Sequence, residues 1–439
     1  MRSIDSPQRS ALLRAPAKPG LAIALAALVA CARPPAPDVA PRESQVPHEP
    51  PGDRVRRYTI WLGGARIGTA VETEAWSAAG VTLARAESLR FLREETPVSI
   101  ETAIEIAADA ALVPARVAWT GTPGGRATAI RGPAGWTVDG DARRTLPDAI
   151  PAELVPLLAR RDGRFAGRVF LPARAFVVGE VRIDPVAPRR LIARLQAGGA
   201  VTESTIDVDA DGSYARIVDG DGVIAIRATA AQAAEPFPLV DLIAATAIPI
   251  AGAPGPERHL VIAGDVALPA VPGQAAGAHP GGVELALSPR LAGDLPPPPL
   301  SSPPGAAPPP DRTPAIRALV AQVRARIEPD LAAGPAFAAA APAATAGDCT
   351  TYALAYAAHA ARAGIPTRVV TGFRVDGDRL VRHRWAVSWT GRGWIAIDAA
   401  FGAAPAGGDL IGLAVHDADD AGLVAGAAAL ARLRGAAWR

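Results

Sequence analysis

Cysteine, lysine and methionine are nearly absent from this chain of 439 residues, which has two cysteines, one lysine and one methionine. So few cysteines exclude a disulfide-stapled scaffold. No apolar run approaches the ~20 residues of a membrane-spanning helix. No block of like charge points to a nucleic-acid partner, because 45 basic residues balance 43 acidic ones. The histidines lack metal-ligand spacing and no glycine-rich phosphate loop is present, so we expect no metal and no cofactor.

The composition is that of a folded protein with several loops or linkers. With 49% hydrophobic and 20% charged residues, the chain can bury a core, and its length favours two domains. Its 43 glycines and 44 prolines are somewhat above average and favour several loops or linkers.

The first thirty residues have the pattern of an export signal. Three arginines and Lys18 precede the apolar run 21–30, which is about half as long as a membrane span. The run ends in L-V-A-C at Cys31, which resembles the lipobox of bacterial lipoproteins. The resemblance implies cleavage before Cys31, lipidation of that cysteine, and a membrane anchor in the bacterial cell envelope with the remainder outside the cytoplasm. A plain secretory signal or a buried helix is the alternative. Residues 31–53 are rich in proline and suit a tether.

Residues 54–294 predict an antiparallel β-rich domain. Apolar and polar positions alternate between tight-turn signals such as D-G-D-A, A-G-G and D-G-D-G, which favours a curved sheet or an open barrel. One helical insert is expected at 149–161. The later strands, near 258–289, are assigned to the same unit, with a small separate domain as the alternative. The proline-rich stretch 295–314 is the predicted linker to the next domain.

The second domain, 315–410, contains the other cysteine at the start of a predicted helix. Asp348 precedes Cys349 as a helix start signal, and Gly364 and Pro366 end the helix. The amides at a helix N-terminus favour an anion, which is what a thiolate nucleophile requires. If Cys31 carries lipid, Cys349 has no disulfide partner. Such a lone thiol is either buried and inert or exposed for chemistry.

Two strands after this helix place a histidine and an aspartate on one face. If Gly391 and Arg392 form the hairpin turn, Trp389 faces Trp394 and Trp385 faces Asp398. His383 is then diagonal to Asp398 on the same face, within side-chain reach. A shift of one residue would put the two on opposite faces. The predicted α+β domain therefore can bring Cys349, His383 and Asp398 together.

Charge assigns the three roles. His383 takes the thiol proton and later protonates the leaving amine, and Asp398 holds the imidazole tautomer and stabilises its cation. One oxyanion donor is expected at the backbone N–H of Cys349 or its neighbour. Trp385 or Trp394 are candidate substrate or oxyanion neighbours, although a tryptophan in a strand is more often part of the core.

The order of these residues resembles the transglutaminase-like superfamily. The matching landmarks run G-x-C, R-A-G-I-P-x-R-V-V-x-G, H-x-W and W-x-x-x-D, and they comprise Gly347, Cys349, residues 362–366, Arg368, Gly372, His383, Trp385, Trp394 and Asp398. The resemblance implies a papain-like α+β core with a Cys–His–Asp triad. It also implies a thioester formed on a carboxamide or peptide carbonyl, followed by transfer to an amine or to water. Many bacterial members are peptidases or amidases, so a protein or peptide substrate is expected and hydrolysis is favoured.

Two positions depart from the family pattern. The acidic residue that often follows H-x-W is missing, and Ala399 stands where a proline commonly follows the aspartate. Residues 411–439 are predicted to be a helical C-terminal segment. The alternative to an enzyme is a structural or ligand-binding lipoprotein of the cell envelope, with the second domain as an inert scaffold.

Overall fold

The computed structural model describes residues 53–122, 125–139, 144–220, 222–255, 257–264, 266, 268–299, 310–333 and 338–439. The predicted export signal 1–30, the lipidation site Cys31 and all but the last residue of the tether 31–53 lie outside the described residues. Within the described ranges, no helix combines the length and apolar character needed to cross a membrane.

The first half of the chain forms one sheet. Neighbouring strands are antiparallel except for the parallel pair β9 and β10, and their spatial order is β8-β7-β6-β5-β4-β3-β2-β1-β15-β14-β13-β12-β11-β10-β9. The fifteen strands described are β1 Arg54–Leu62, β2 Ala65–Ser77, β3 Gly80–Arg93, β4 Thr96–Asp109, β5 Pro114–Gly121, β6 Gly125–Gly132, β7 Gly135–Asp139, β8 Arg144–Leu146, β9 Ile150–Pro151, β10 Phe165–Leu171, β11 Val177–Ala187, β12 Arg190–Ala197, β13 Ala200–Val208, β14 Tyr214–Val218 and β15 Ile224–Ala228.

This first sheet is strongly curved, as predicted. Buried residues of β3 to β8 share one hydrophobic cluster with residues of β10, although β8 and β10 lie near opposite ends of the strand order. At the centre of the cluster, the ring of Trp136 meets Phe170 edge-on at 5.1 Å, and Phe170 stacks on Phe176 at 5.8 Å. The two ends of the sheet therefore close around a common core.

A second sheet contains the predicted active-site strands. Its spatial order is β18-β19-β17-β26-β16-β23-β22-β25, with β24 paired to β23. Its strands are β16 Ile248–Ala251, β17 His259–Gly264, β18 Gln274–His279, β19 Gly282–Leu287, β22 Thr367–Asp376, β23 Arg379–Trp389, β24 Trp394–Ile397, β25 Leu410–His416 and β26 Leu433–Trp438. The short strands β20 Glu328–Pro329 and β21 Ala346–Gly347 pair in parallel just before the thiol.

Two expectations about this half of the chain differ from the structure. Strands β16 to β19 belong to the second sheet, where β17 pairs with β26 and β16 pairs with β23, rather than to the first. The segment 411–439 is not wholly helical, because one helix lies between β25 and β26. Apolar alternation identifies a strand but carries no information about its partner, since all backbone ladders use the same groups.

Six α-helices lie in the described residues: α1 Val155–Asp162, α2 Ala230–Ala234, α3 Leu242–Thr246, α4 Thr313–Arg326, α5 Cys349–Arg362 and α6 Asp420–Leu430. Short 3-10 helices cover Ala152–Leu154, Pro172–Arg174 and Ala338–Ala343. The predicted helical insert near residue 155 is therefore present as α1. Helix α4 begins at the end of the predicted linker and packs against α5 through Ile316, Val320 and Val323.

Small side chains let the helices approach the second sheet closely. Helix α5 buries Ala353, Ala355, Ala357 and Ala360, and a glycine with φ +66° follows it at Gly364. On α6, a Cβ at Gly426 would lie 2.4 Å from the Thr371 hydroxyl oxygen, so only glycine fits there. Both helices therefore lie against β22.

Candidate active site

Cys349 is the first residue of α5, where its thiol is partly exposed and free. Asp348 caps the helix: its Oδ1 accepts hydrogen bonds from the amides of Thr350 at 3.0 Å and Thr351 at 3.2 Å. The cap leaves the amide of Cys349 itself at the helix tip. Gly347 precedes the cap, and a Cβ there would lie 2.3 Å from the buried side chain of Thr351. The path of the backbone that leads to Cys349 is therefore fixed by packing before and after Asp348.

His383 and Asp398 meet through the predicted strand register. Strand β23 pairs with β24 so that Trp389 faces Trp394 and Ala386 faces Ile397. His383 Nε2 lies 2.8 Å from Asp398 Oδ2, and both residues are buried, at 7% and 4% exposure. The imidazole nitrogen left for the thiol is Nδ1. This geometry follows from the period of two along β23 and from a turn of fixed length.

The imidazole is held in its cationic form. Burial alone would lower the pKa of His383, but hydrogen bonds to Asp398 and to Cys349, together with the negative charges of both partners, raise it to about 10. The thiol of Cys349 therefore interacts with the imidazole of His383. At neutral pH the arrangement favours the imidazolium form of His383.

A partly buried arginine next to His383 in sequence was not anticipated. Arg384 Nη1 donates to the hydroxyl of Thr350 at 2.8 Å, and its Nε donates to Thr371 Oγ1 at 2.9 Å. Burial lowers the pKa of Arg384, while the charges of Cys349 and Asp348 act in the opposite direction. The guanidinium is thus a second positive charge beside the thiol, held by hydroxyl groups.

The hydrogen bonds behind Arg384 continue to His416. His416 Nδ1 lies 2.8 Å from the carbonyl of Asp417, so Nδ1 carries the hydrogen and Nε2 accepts from the Thr371 hydroxyl at 2.8 Å. Burial and the charge of Arg384 lower the pKa of His416 to about 4. His416 is therefore neutral, and its acceptor nitrogen fixes the direction of the Thr371 hydroxyl.

The first sheet also reaches the tip of α5. Arg93, at the end of β3, donates to Asp348 Oδ2 at 3.0 Å and to the carbonyl of Leu331 at 2.6 Å. Asp348 is 4% exposed, so this is a largely desolvated ion pair. It ties the N-terminal cap of the helix to the first sheet. Neither Arg93 nor Arg384 carries a sequence signal, because Arg93 meets Asp348 from 255 residues away and Arg384 meets Thr350 from 34 residues away.

The two tryptophans of the prediction occupy different surroundings. Trp385 stacks at 6.1 Å from the His383 ring, is 1% exposed, and its Nε1 has no hydrogen-bond partner among the described residues. The Nε1 of Trp394 donates to the carbonyl of Pro296 at 3.0 Å, and its ring packs on Trp389. Trp394 is therefore a core residue whose donor is already used.

An exposed phenylalanine, Phe401, also contacts the imidazole of His383. The ring of Phe401 meets His383 edge-on at 5.7 Å, and its own amide donates to Asp398 Oδ1 at 3.4 Å. The guanidinium of Arg374 lies 3.8 Å above the Phe401 ring. Since Phe401 is 52% exposed, it offers an apolar surface directly beside the imidazole.

These residues lie in a segment with a recognisable family pattern. Residues 304–399 match the family model of the transglutaminase-like superfamily. The resemblance predicted from the sequence is thereby confirmed for this segment, which is less than a quarter of the chain and includes Cys349, His383 and Asp398. Transglutaminase-like domains are typically cysteine-dependent enzymes. No curated protein and no solved structure matches the chain.

No group of three or more histidine, cysteine, aspartate or glutamate side chains within the described residues is placed to hold a metal ion. Cys349 thus lies at the tip of a helix, beside the imidazole of His383 and near the guanidinium of Arg384.

Proposed function

We propose that this protein is a thiol acyl-transfer enzyme that acts on a peptide or carboxamide carbonyl. The observation that carries the proposal is the buried hydrogen bond between His383 and Asp398 at 2.8 Å, together with the partly exposed thiol of Cys349 at the start of α5. The match to the transglutaminase-like superfamily supports it independently.

The reaction would proceed in two halves. The Cys349 thiolate attacks the carbonyl carbon, and the oxyanion is met by the backbone N–H of Cys349 at the tip of α5. The carbon–nitrogen bond breaks as His383 Nδ1–H gives its proton to the leaving amine, which leaves a thioester. Water then attacks the thioester, His383 takes the proton of that water, and the acid and the thiol are released. An amine in place of water would give cross-linking.

We favour water as the acceptor, in line with the bacterial peptidases and amidases of the superfamily. Trp385 stacked behind His383 and Phe401 edge-on to its ring would hold the imidazole in one orientation through both halves. Phe401 would also contact an apolar side chain of the substrate, since half of its surface is exposed beside the reacting groups.

The test uses casein as acyl donor with dansylcadaverine present as a competing amine. For the full chain we expect release of ammonia or formation of new peptide termini, with little dansyl label. A Cys349→Ala variant should give neither hydrolysis products nor dansyl label. His359→Ala provides the matched control, since His359 lies on α5 three turns beyond the thiol. Dansyl incorporation without hydrolysis would mean that the enzyme transfers the acyl group to amines rather than to water. Turnover that survives in Cys349→Ala would overturn the proposal, and so would the absence of any acyl adduct on Cys349.

We also propose that the enzyme is anchored to a membrane of the bacterial cell envelope through lipid on Cys31. This proposal rests on the L-V-A-C pattern after a short apolar run and on the proline-rich tether that follows. Protein isolated from membranes should yield an N-terminal peptide that begins at Cys31 and carries acyl mass. An intact residue 1, or a mature chain that begins elsewhere without lipid, would contradict it.

A further inference from the structure

The curved first sheet encloses a cavity that the acyl-transfer chemistry does not use. Its volume is about 290 Å³, and every residue that lines it lies between Tyr58 and Ala225. The site around Cys349 belongs to the other sheet. A cavity of this size holds roughly ten non-hydrogen atoms, given about 30 Å³ for a water molecule in the liquid.

The walls of the cavity differ in chemistry. Strands β10 to β13 contribute an aliphatic wall that includes Val169, Val181, Ile183, Leu195 and Ile206. The rest of the wall includes β1 to β3, the 3-10 helix before α1, and β14, and it contains the polar residues Tyr58, Glu72, Arg85, Glu87, Glu153 and Tyr214. Such a division suits a small molecule with a hydrocarbon chain and one polar end.

Two polar atoms on this wall are unpaired. Glu153 Oε2 and Tyr214 Oη are buried and have no hydrogen-bond partner in the part of the chain that the structure describes. Tyr214 is only 9% exposed. By contrast, Arg85 on the same wall already donates to Glu87 at 3.1 Å and lies 3.9 Å from Glu72. Buried polar atoms are normally paired, so two unpaired ones facing a cavity indicate a missing ligand.

We propose that this cavity binds an aliphatic primary amine, with the ammonium group on Glu153 and the alkyl chain against β10 to β13. Both unpaired atoms can accept a hydrogen bond, and an ammonium supplies three donors. Carboxyl groups also outnumber guanidinium groups around the cavity, which disfavours an anionic ligand. The charged lining residues are Glu72, Glu87, Glu153, Asp219, Arg85 and Arg174.

The protonation of Glu153 adds a measurable signature. The pKa of Glu153 is raised to about 7: burial is the main cause, a hydrogen bond to its own backbone and the charge of Arg85 act against it, and the charges of Glu72 and Glu87 add to it. Near pH 6.5 the empty site therefore holds a proton on Glu153. A bound ammonium favours the carboxylate, so binding releases a proton to the buffer.

The experiment is calorimetric titration of the full chain with n-octylamine at pH 6.5, in two buffers of different ionisation enthalpy. Octanol and octanoate serve as neutral and anionic probes of the same chain length. We expect saturable binding of octylamine with proton release, and at least about tenfold weaker binding of the other two probes, since charge-assisted hydrogen bonds are lost. Equal or tighter binding of octanol or octanoate would overturn the assignment of an amine.

Three variants locate the bound amine. Glu153→Gln should weaken octylamine binding at least about tenfold and abolish proton release, while Glu180→Gln on the exposed side of β11 should behave as the wild type. Ala193→Phe, which fills the cavity, should abolish binding of all probes. Unchanged binding in both Glu153→Gln and Ala193→Phe would place the amine elsewhere and refute the proposal. Cys349→Ala should bind octylamine as the wild type does, so this test is independent of the acyl-transfer proposal.

Discussion

Replacing His383 with alanine is expected to slow alkylation of Cys349 by iodoacetamide about 30-fold at pH 6. In the wild type the imidazolium of His383, whose pKa is raised to about 10, stays beside the sulfur throughout the range pH 6 to 9. An ordinary thiol, with a pKa of about 8.5, is less than ~1% thiolate at pH 6. The lower intrinsic nucleophilicity of a stabilised thiolate offsets part of that difference. The wild-type rate should therefore change little from pH 6 to 9, whereas the variant's rate should rise steeply.

The measurement is peptide mass spectrometry, which follows Cys349 separately from Cys31. His359→Ala is the matched control, because it removes a histidine from α5 at a distance from the thiol. Near-ultraviolet circular dichroism checks that each variant is folded. Identical pH profiles in the wild type and His383→Ala would refute activation by His383. Labelling of the wild type only after denaturation would favour the scaffold alternative.

Arg384→Gln belongs in the same experiment. Glutamine keeps a donor for Thr350 or Thr371 but removes the positive charge next to the sulfur. We expect a rate at pH 6 between those of the wild type and His383→Ala, because the imidazolium is in direct contact and the guanidinium acts through space. A rate equal to that of the wild type would limit Arg384 to holding the two hydroxyl groups.

The His383–Asp398 pair could be predicted from the sequence because it depends on local rules. The period of two along a strand and a two-residue turn together fix which side chains share a face, and β23 and β24 have that register. The position of Cys349 at a helix start was equally local, since Asp348 and Gly364 mark the two ends of α5.

The surroundings of the thiol depend on contacts that no local rule encodes. Arg93 meets Asp348 across the interface of the two sheets, and His416 reaches Arg384 through Thr371 on a neighbouring strand. The same limit applies to β16 to β19, whose alternation predicted strands correctly but not the sheet they join. Long-range pairing is decided by how whole surfaces pack, which a single sequence read locally does not show.

Asp398→Asn is expected to lower the local free energy of unfolding of β23 and β24 by about 3 kcal/mol at pH 6, and by much less at pH 10. Breaking a buried ion pair leaves His383 charged without its partner, and such losses are typically about 3–5 kcal/mol. The folded-state pKa of His383 is raised to about 10, from an ordinary value near 6.5. The stability that the pair contributes is therefore fully present below about pH 6.5 and is lost as the pH rises through 10.

Hydrogen exchange of peptides from β23 and β24, corrected for the intrinsic rate at each pH, measures this difference. Asp376→Asn is the matched control, because Asp376 forms an exposed ion pair with Arg379 at 2.9 Å. Exposed pairs contribute at most about 1 kcal/mol, so the control should lose little at either pH. A loss in Asp398→Asn that is the same at pH 6 and pH 10 would mean that the carboxylate acts through packing. The imidazolium would then not be the group that Asp398 stabilises, and its role in proton transfer would have to be assigned to another residue.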